Sequence, residues 1–179
     1  KAFDQIEKSF FIRLNYDPTE AHINNVEQCT NKWYELGEIT KEWKEFVVNK
    51  EAIPGKNATL YKTHKVGTPV RLLTTGCNSA IENLSRFIEV ICAPLTENMQ
   101  GRIKNTQELL NIIDDLNQKE LPNNTLLVSF DIVSMFPSID NDNGVKAVEE
   151  FLDQRKTLSP KTECIIEVLK ICLFNNNSK

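Results

Sequence analysis

The sequence lacks a C-x-x-C pair, an apolar run long enough to span a membrane, and a secretory signal at its start. Its cysteines number five, an odd and dispersed set that argues against a disulfide framework or a structural zinc site. The two histidines, His22 and His64, are too far apart in the sequence to indicate a zinc site. We therefore expect an intracellular protein, nuclear or cytoplasmic, with reduced thiols and no membrane association.

Acidic residues are missing from one stretch of an otherwise acidic chain. The net charge is −4 over 179 residues, yet residues 52–81 contain no Asp or Glu. The cations of this stretch are Lys56, Lys62, Lys65 and Arg71. Charge alone leaves two interpretations open, a solvated surface loop or a surface that binds anions. The chain also has no initiator Met, so we expect it to be a fragment of a longer protein.

Hydrophobic periodicity predicts a helix-rich α+β fold. Amphipathic helices are expected at about 17–36, 40–53, 81–94, 105–117, 143–155 and 159–174. Ser79-Ala80-Ile81-Glu82 has the pattern of a capping box, and Pro94 is expected to close the helix that follows it. In the fourth helix the predicted buried stripe consists of Leu109, Ile112, Ile113 and Leu116.

Two parts of the chain are predicted to be extended. Residues 58–61 and 69–75 read as short strands around the turn-like residues 65–69, which gives a hairpin that carries the basic residues. Residues 125–133 are the strongest strand signal, because a nearly continuous apolar run is typical of a strand buried on both faces. Asp131 lies near the end of that strand, where we expect it to reach a cleft or to meet a cation.

A carboxylate at the end of a buried strand is a frequent Mg²⁺ ligand, because hard cations take oxygen ligands. An Asp that caps a turn or pairs with Lys or Arg is the plain alternative. A haloacid-dehalogenase-like phosphatase would need a second Asp two residues later, where this chain has Val133. A receiver-type phosphoacceptor would need early paired acids and a doubly wound order of elements, which the predicted helical N-terminal region fits poorly.

The residues around Asp131 are more specific. The string Leu-Val-Ser-Phe-Asp-Ile-Val-Ser-Met-Phe over residues 127–136 resembles motif A of reverse transcriptases. The resemblance implies that Asp131 and the backbone carbonyl of Ile132 hold catalytic metal ions. It also implies that Phe136, five positions after the Asp, lies under the sugar and rejects a 2′-hydroxyl, although plain core packing is the usual role of a Phe.

The basic stretch resembles a second part of the same family. Residues 62–71 fit the K-x-H-K-x-G-x-P-x-R string of the fingers hairpin in reverse transcriptases of Penelope-like retroelements. This resemblance implies that Lys65 and Arg71 grip the triphosphate of an incoming nucleotide, with Lys62 as the alternative Lys. A point charge and a planar fork of donors both suit phosphate oxygens. Residues 34–40, 83–86 and 93–95 also match, so the resemblance covers about residues 34–174.

The resemblance implies a fingers and palm fragment of a right-hand polymerase, with a palm strand that carries Asp131. Residues 1–57 would be an N-terminal helical region, 58–124 the fingers and 125–179 the incomplete start of the palm. The implied activity is RNA-directed DNA synthesis with two Mg²⁺ ions, an RNA template, a DNA primer and deoxynucleoside triphosphates; the oligomeric state is left open. The family's Y-x-D-D-type strand would follow Lys179, so this fragment alone is expected to be inactive.

Some residues depart from the family's pattern. Leu72 stands where Pro often follows the Arg, and Phe136-Pro137-Ser138 replaces a more usual Phe-Thr-Asn. The other acids that could substitute for the missing carboxylates read as turn, cap or solvated helix face; they are Asp114, Asp115, Asp140 and Asp142. Two alternatives remain: a non-catalytic nucleic-acid-binding module derived from a reverse transcriptase, and a structural α+β domain whose matches are accidental.

Overall fold

The computed structural model describes residues 14–175, apart from positions 69, 98, 134 and 158, and gives the backbone alone for residues 71, 72, 136 and 137. The first thirteen residues of the predicted region 1–57 therefore lie outside the described part. In chain order the elements are α1 (Thr19–Glu35), α2 (Lys41–Val47), β1 (Lys56–Tyr61), β2 (Val70–Thr75), α3 (Glu82–Thr96), α4 (Thr106–Asn117), α5 (Met135–Ser138), α6 (Asn141–Leu152) and α7 (Thr162–Phe174). The predicted helix-rich α+β class is confirmed.

Local signals in the sequence explain most of these boundaries. The Thr40 hydroxyl accepts a hydrogen bond from the Trp43 backbone at 3.3 Å, as expected of a helix cap. Asn105 and Asp140 cap α4 and α6 in the same way, each accepting at 3.0 Å from a backbone N–H three residues later. Gly37 follows α1 with a φ of 74°, a left-handed conformation that costs glycine little. The predicted helix start at residue 40 is thus confirmed, and Asp140 has one of the structural roles expected of it, that of a helix cap.

Five helices build the apolar core, and we call α1, α2, α3, α6 and α7 together the helical core. One buried cluster joins side chains of α1, α2, α3 and α7, and includes Val26, Trp33, Val47, Phe87 and Cys164. A second joins α6 to α7 and consists of Val145, Leu152, Ile165 and Ile166. The central position of α7 follows from its sequence, because its apolar residues cover more than one face and can serve both clusters.

Polar contacts fasten the helical core at its edges. Lys161, just before α7, donates from its backbone to Glu38 at 2.9 Å and from its ammonium group to the other carboxylate oxygen at 2.8 Å. These contacts lower the pKa of Glu38 and raise that of Lys161. Between α6 and α7, Arg155 donates to the carbonyls of Leu152 and Pro160 and to the Thr162 hydroxyl. Charge-assisted hydrogen bonds therefore join the loop before α2 to the start of α7, and the end of α6 to the start of α7.

The cysteines do not pair with one another; all five are free thiols. Cys29 and Cys164 are buried in the helical core, and burial, followed by nearby charges, raises the pKa of each to about 12. A thiol that stays protonated in apolar surroundings is chemically inert and packs as a small hydrophobic side chain. In the part of the chain that is described, no helix is both long and apolar enough to cross a membrane.

The predicted boundaries of α3 are wrong at both ends. Pro94 lies inside the helix, which continues to Thr96. The expected capping box does not form, because α3 begins at Glu82 without a side-chain cap and the buried Ser79 hydroxyl has no hydrogen-bond partner among the described residues. The Glu82 carboxylate reaches further back instead and accepts from the Asn78 backbone at 2.6 Å.

The predicted burial of α4 is also wrong. The helix forms where the sequence places it, but none of its residues is buried. The stripe of Leu109, Ile112, Ile113 and Leu116 is about 40% exposed at each position. An amphipathic face indicates that a helix has a surface to cover, but burial requires a partner, and the described elements leave this face largely exposed.

Candidate functional site

The stretch that resembles motif A does not form the predicted strand. Residues 125–132 have no regular secondary structure, and from residue 126 to 132 no backbone group bonds to a described residue. The apolar side chains are exposed, from 63% for Val128 to 102% for Leu127. A strand needs a neighbour to satisfy its backbone, and the one sheet found among the described residues consists of β1 and β2. The expected buried palm strand is therefore corrected to an exposed, unpaired segment.

Asp131 lies in this exposed segment rather than at the tip of a strand. Its side chain is exposed and makes no hydrogen bond or ion pair with a described residue. The neighbouring Ile132 carbonyl likewise accepts no hydrogen bond within the described ranges. The Asp131 carboxylate and the Ile132 carbonyl are thus available, and both are ligands of the type that Mg²⁺ prefers. The alternative role of Asp131, a turn cap or an ion pair with Lys or Arg, is not realised among these residues.

Phe136 follows Asp131 after one tight turn. Its backbone belongs to the short helix α5, and the Ser138 hydroxyl donates to the Val133 carbonyl at 3.0 Å across that turn. The side chain of Phe136 is not described, so its role beside a sugar stays a prediction.

The basic stretch forms the predicted hairpin. β1 and β2 are antiparallel, with Leu60 opposite Arg71 and Tyr61 opposite Val70. Turn hydrogen bonds of 3.0 Å run from the Lys65 backbone to Lys62 and from Thr68 to Lys65. Gly67 and Thr68 have φ values of 77° and 42°, which explains a glycine at the tip of this turn.

Three of the four cations of the basic stretch lie towards the turn of the hairpin, whereas Lys56 begins β1 at the other end. Lys65 is exposed in the turn, and Lys62, the alternative, is half-buried at the end of β1. Neither Lys forms an ion pair with a described residue. Arg71 is the second residue of β2, and its side chain is not described. His64 is exposed in the same turn, as expected of a surface histidine.

The two groups of residues belong to different parts of the chain. Lys62, Lys65 and Arg71 lie on one hairpin, and Asp131, Ile132 and Phe136 lie on one short segment, but no hydrogen bond or ion pair between described residues joins the two. Within the described ranges there is also no group of three or more acidic, His or Cys side chains that could hold a metal ion. The groups proposed for a cation are therefore the available Asp131 carboxylate and the available Ile132 carbonyl.

The remaining candidate acids have ordinary structural positions. Asp140 caps α6, Asp142 lies in the first turn of that helix, and Asp114 and Asp115 are exposed on α4. Their predicted status as cap or solvated residues agrees with these positions.

No family model matches the chain, and no match is found among curated proteins or among solved structures.

Sequence reasoning missed the contacts at the base of the hairpin. Asn78 has a φ of 59° and bonds through its backbone to Ile53 on one side and to Glu82 on the other. The signal that could have indicated this was Asn78 itself, since Asn tolerates the left-handed conformation better than most residues. Glu82 was noticed only as part of a capping box.

Proposed function

We propose that this chain belongs to a reverse transcriptase, an RNA-directed DNA polymerase of a retroelement of the Penelope-like type. The observation that carries the proposal is the order of two features along the chain: a hairpin with unpaired cations, followed by an apolar segment with an exposed, unpaired carboxylate. The substrates are an RNA template, a DNA primer and deoxynucleoside triphosphates.

In this proposal the hairpin binds the triphosphate. Lys65 provides a compact charge at the turn and Arg71 a planar fork of donors on β2, and both stabilise the negative charge that develops on the phosphates. Lys62 is the alternative Lys, three residues nearer to the end of β1. Because residues 52–81 contain no acid, no carboxylate of the same stretch competes for these cations. Template and primer are held mainly through their phosphate backbones.

The Asp131 carboxylate and the Ile132 carbonyl are the groups proposed to hold Mg²⁺. Two bound Mg²⁺ ions would supply the charge that activates the primer 3′-hydroxyl and stabilises the pyrophosphate leaving group. The Asp131 side chain suits this role because no described residue bonds to it. Phe136 is proposed to exclude a 2′-hydroxyl by steric contact with the sugar.

Asp131→Asn tests the metal role directly. The amide keeps the size of the side chain but loses the charge that a hard cation requires, so nucleotide incorporation should fall at least about 100-fold. The measurement is single-nucleotide incorporation by the full-length parent protein on an RNA template with a DNA primer and Mg²⁺, and Asp142→Asn on α6 serves as the matched control. Incorporation close to the unmodified level in Asp131→Asn would defeat the assignment.

Phe136→Ala tests the steric role. Removing the ring should raise the ratio of ribonucleotide to deoxyribonucleotide incorporation by about tenfold or more, because one large side chain no longer blocks the 2′-hydroxyl. Phe151→Ala, on the helical core, is the control for loss of an aromatic ring. Unchanged discrimination in Phe136→Ala would count against the gate.

The non-catalytic binding module is distinguished by the same assays. A module would bind template and primer with an affinity that falls as salt rises, because phosphate contacts release counterions. It would incorporate no nucleotide, and Asp131→Asn would bind as well as the unmodified chain. Binding without incorporation by the full-length parent protein would therefore replace the polymerase proposal.

A further inference from the structure

The base of the hairpin is joined to the helical core through the backbone of one residue. The Asn78 carbonyl accepts from the Ile53 backbone at 2.9 Å and from the Asn49 side chain at 3.4 Å. The Asn78 N–H donates to the Glu82 carboxylate at 2.6 Å. Ile53 precedes β1, Asn78 follows β2, and Glu82 is the first residue of α3. These bonds therefore connect the two feet of the hairpin to each other and to α3.

The conformation of Asn78 allows its carbonyl to bond to Ile53 and its N–H to bond to Glu82. Its φ of 59° lies in the left-handed region, which Asn enters at lower cost than most residues other than glycine. The neighbouring Ser79 N–H donates to the Gly76 carbonyl at 3.0 Å and closes the turn around it. The turn and the left-handed residue together orient the Asn78 N–H towards α3 and its carbonyl towards residues 49–53.

The rest of the hairpin has few other attachments. Its two strands pair with each other and with no other described strand. Among the described side chains of residues 56–75, the Asn57–Thr74 hydrogen bond of 2.8 Å stays within the hairpin, and none bonds to a helix. The direction in which the hairpin projects is consequently set at its base.

We propose that Glu82 and Asn78 position the hairpin and thereby set where Lys65 and Arg71 meet the triphosphate. We call the contacts of Ile53, Asn78 and Glu82 the base clamp. Glu82 is a positioning residue, because it acts on the nucleotide only through Asn78 and the strand that precedes it. The part of this inference that concerns the nucleotide rests on the proposed polymerase function, whereas the clamp itself does not.

The first experiment measures the clamp without reference to activity. In the full chain, amide hydrogen exchange is compared between the unmodified protein and Glu82→Ala, with Glu89→Ala on the same helix as the control and Glu82→Gln as the conservative variant. Loss of the charged acceptor should speed exchange of the Asn78 and Ile53 amides by about five- to tenfold. Glu82→Gln, which keeps an acceptor oxygen, should recover part of the protection, and Glu89→Ala should change nothing. Unaltered exchange in Glu82→Ala would overturn the clamp.

The second experiment measures how loss of the base clamp changes binding of the deoxynucleoside triphosphate. In incorporation assays Glu82→Ala should raise KM for the deoxynucleoside triphosphate by about fivefold and change kcat less, since a misplaced hairpin weakens binding of the triphosphate. Asn78→Gly, which keeps both backbone bonds and the left-handed φ, should behave like the unmodified protein, whereas Asn78→Val should resemble Glu82→Ala.

The outcomes separate the clamp from the polymerase function. Faster exchange with unchanged KM would overturn the positioning role while leaving the contacts in place. Absence of nucleotide incorporation by the unmodified full-length parent protein would remove the polymerase function, and the exchange data would then still decide the clamp on its own.

Discussion

The helical core and the segment 106–133 contain similar apolar patterns but bury them very differently. In the helical core, side chains from five helices face one another, and residues such as Leu152 and Ile165 are at most 1% exposed. In the segment 106–133, which consists of α4 and the motif A stretch, no residue is buried. The comparison teaches that an apolar pattern specifies a face to be covered, whereas burial depends on which other elements are present to cover it.

The largest difference in stability should come from truncating one leucine in each of the two regions. Leu152→Ala should destabilise the protein by about 2–5 kcal/mol, because the lost contacts leave a cavity among α6, α3 and α7. Leu127→Ala should change stability by less than about 0.5 kcal/mol, because that side chain is already exposed. Urea denaturation followed by circular dichroism measures both. Equal destabilisation by the two substitutions would show that residues 125–133 are packed in solution.

A smaller difference in stability should distinguish the cap of α6, Asp140, from the cap of α4, Asn105. Asp140→Ala should cost about 1 kcal/mol of global stability, because α6 buries Val145 and Leu152 and its fraying exposes them. Asn105→Ala removes an equivalent cap from α4, which buries no residue, so helicity should fall locally with little change in the denaturation midpoint. Hydrogen exchange of the two helices alongside denaturation separates local from global loss. A midpoint shift in Asn105→Ala as large as that in Asp140→Ala would contradict the separation of α4 from the core.

The smallest effect concerns the contact between Glu38 and Lys161 within the helical core. Lys161 lowers the pKa of Glu38 in the folded state. The folded state therefore binds fewer protons at Glu38 than the unfolded chain does. The stabilisation is therefore fully present above the ordinary Glu pKa of about 4.3 and is lost as the pH falls through the lower pKa of the folded state. Denaturation from pH 7 to pH 3 should show Glu38→Gln less stable than the unmodified chain at pH 7, with the difference shrinking in acid. Glu35→Gln is the control, and a pH-independent difference for Glu38→Gln would refute the linkage.

The elements that the sequence predicted well are those whose signals are local. Thr40, Asn105 and Asp140 identify helix starts because a cap hydrogen bond involves residues only three positions apart. The hairpin was predictable for a similar reason, since its two strands are joined by a short turn with Gly67 at the position that needs a positive φ.

The elements that failed depend on distant partners. Residues 125–133 have the composition of a strand, yet a strand exists only where another strand accepts its hydrogen bonds. The stripe of α4 was correctly placed on one helical face, but its burial required a neighbour that periodicity cannot identify. At the candidate site, the sequence identified Asp131, Ile132, Phe136, Lys62, Lys65 and Arg71 as candidates, while the exposure of Asp131 in an unpaired segment lay beyond what spacing can predict.

The sequence alone determined the helix-rich α+β class, the basic hairpin and the carboxylate of Asp131, because propensity, capping and charge act over a few neighbouring residues. Tertiary structure decided that α7 lies at the centre of the helical core, that residues 125–133 are exposed, and that Asn78 and Glu82 hold the base of the hairpin. These features arise from contacts between residues far apart in the chain, or from a backbone conformation that local pattern leaves open. Their stabilisation depends on the arrangement of whole elements rather than on the residues of any one segment.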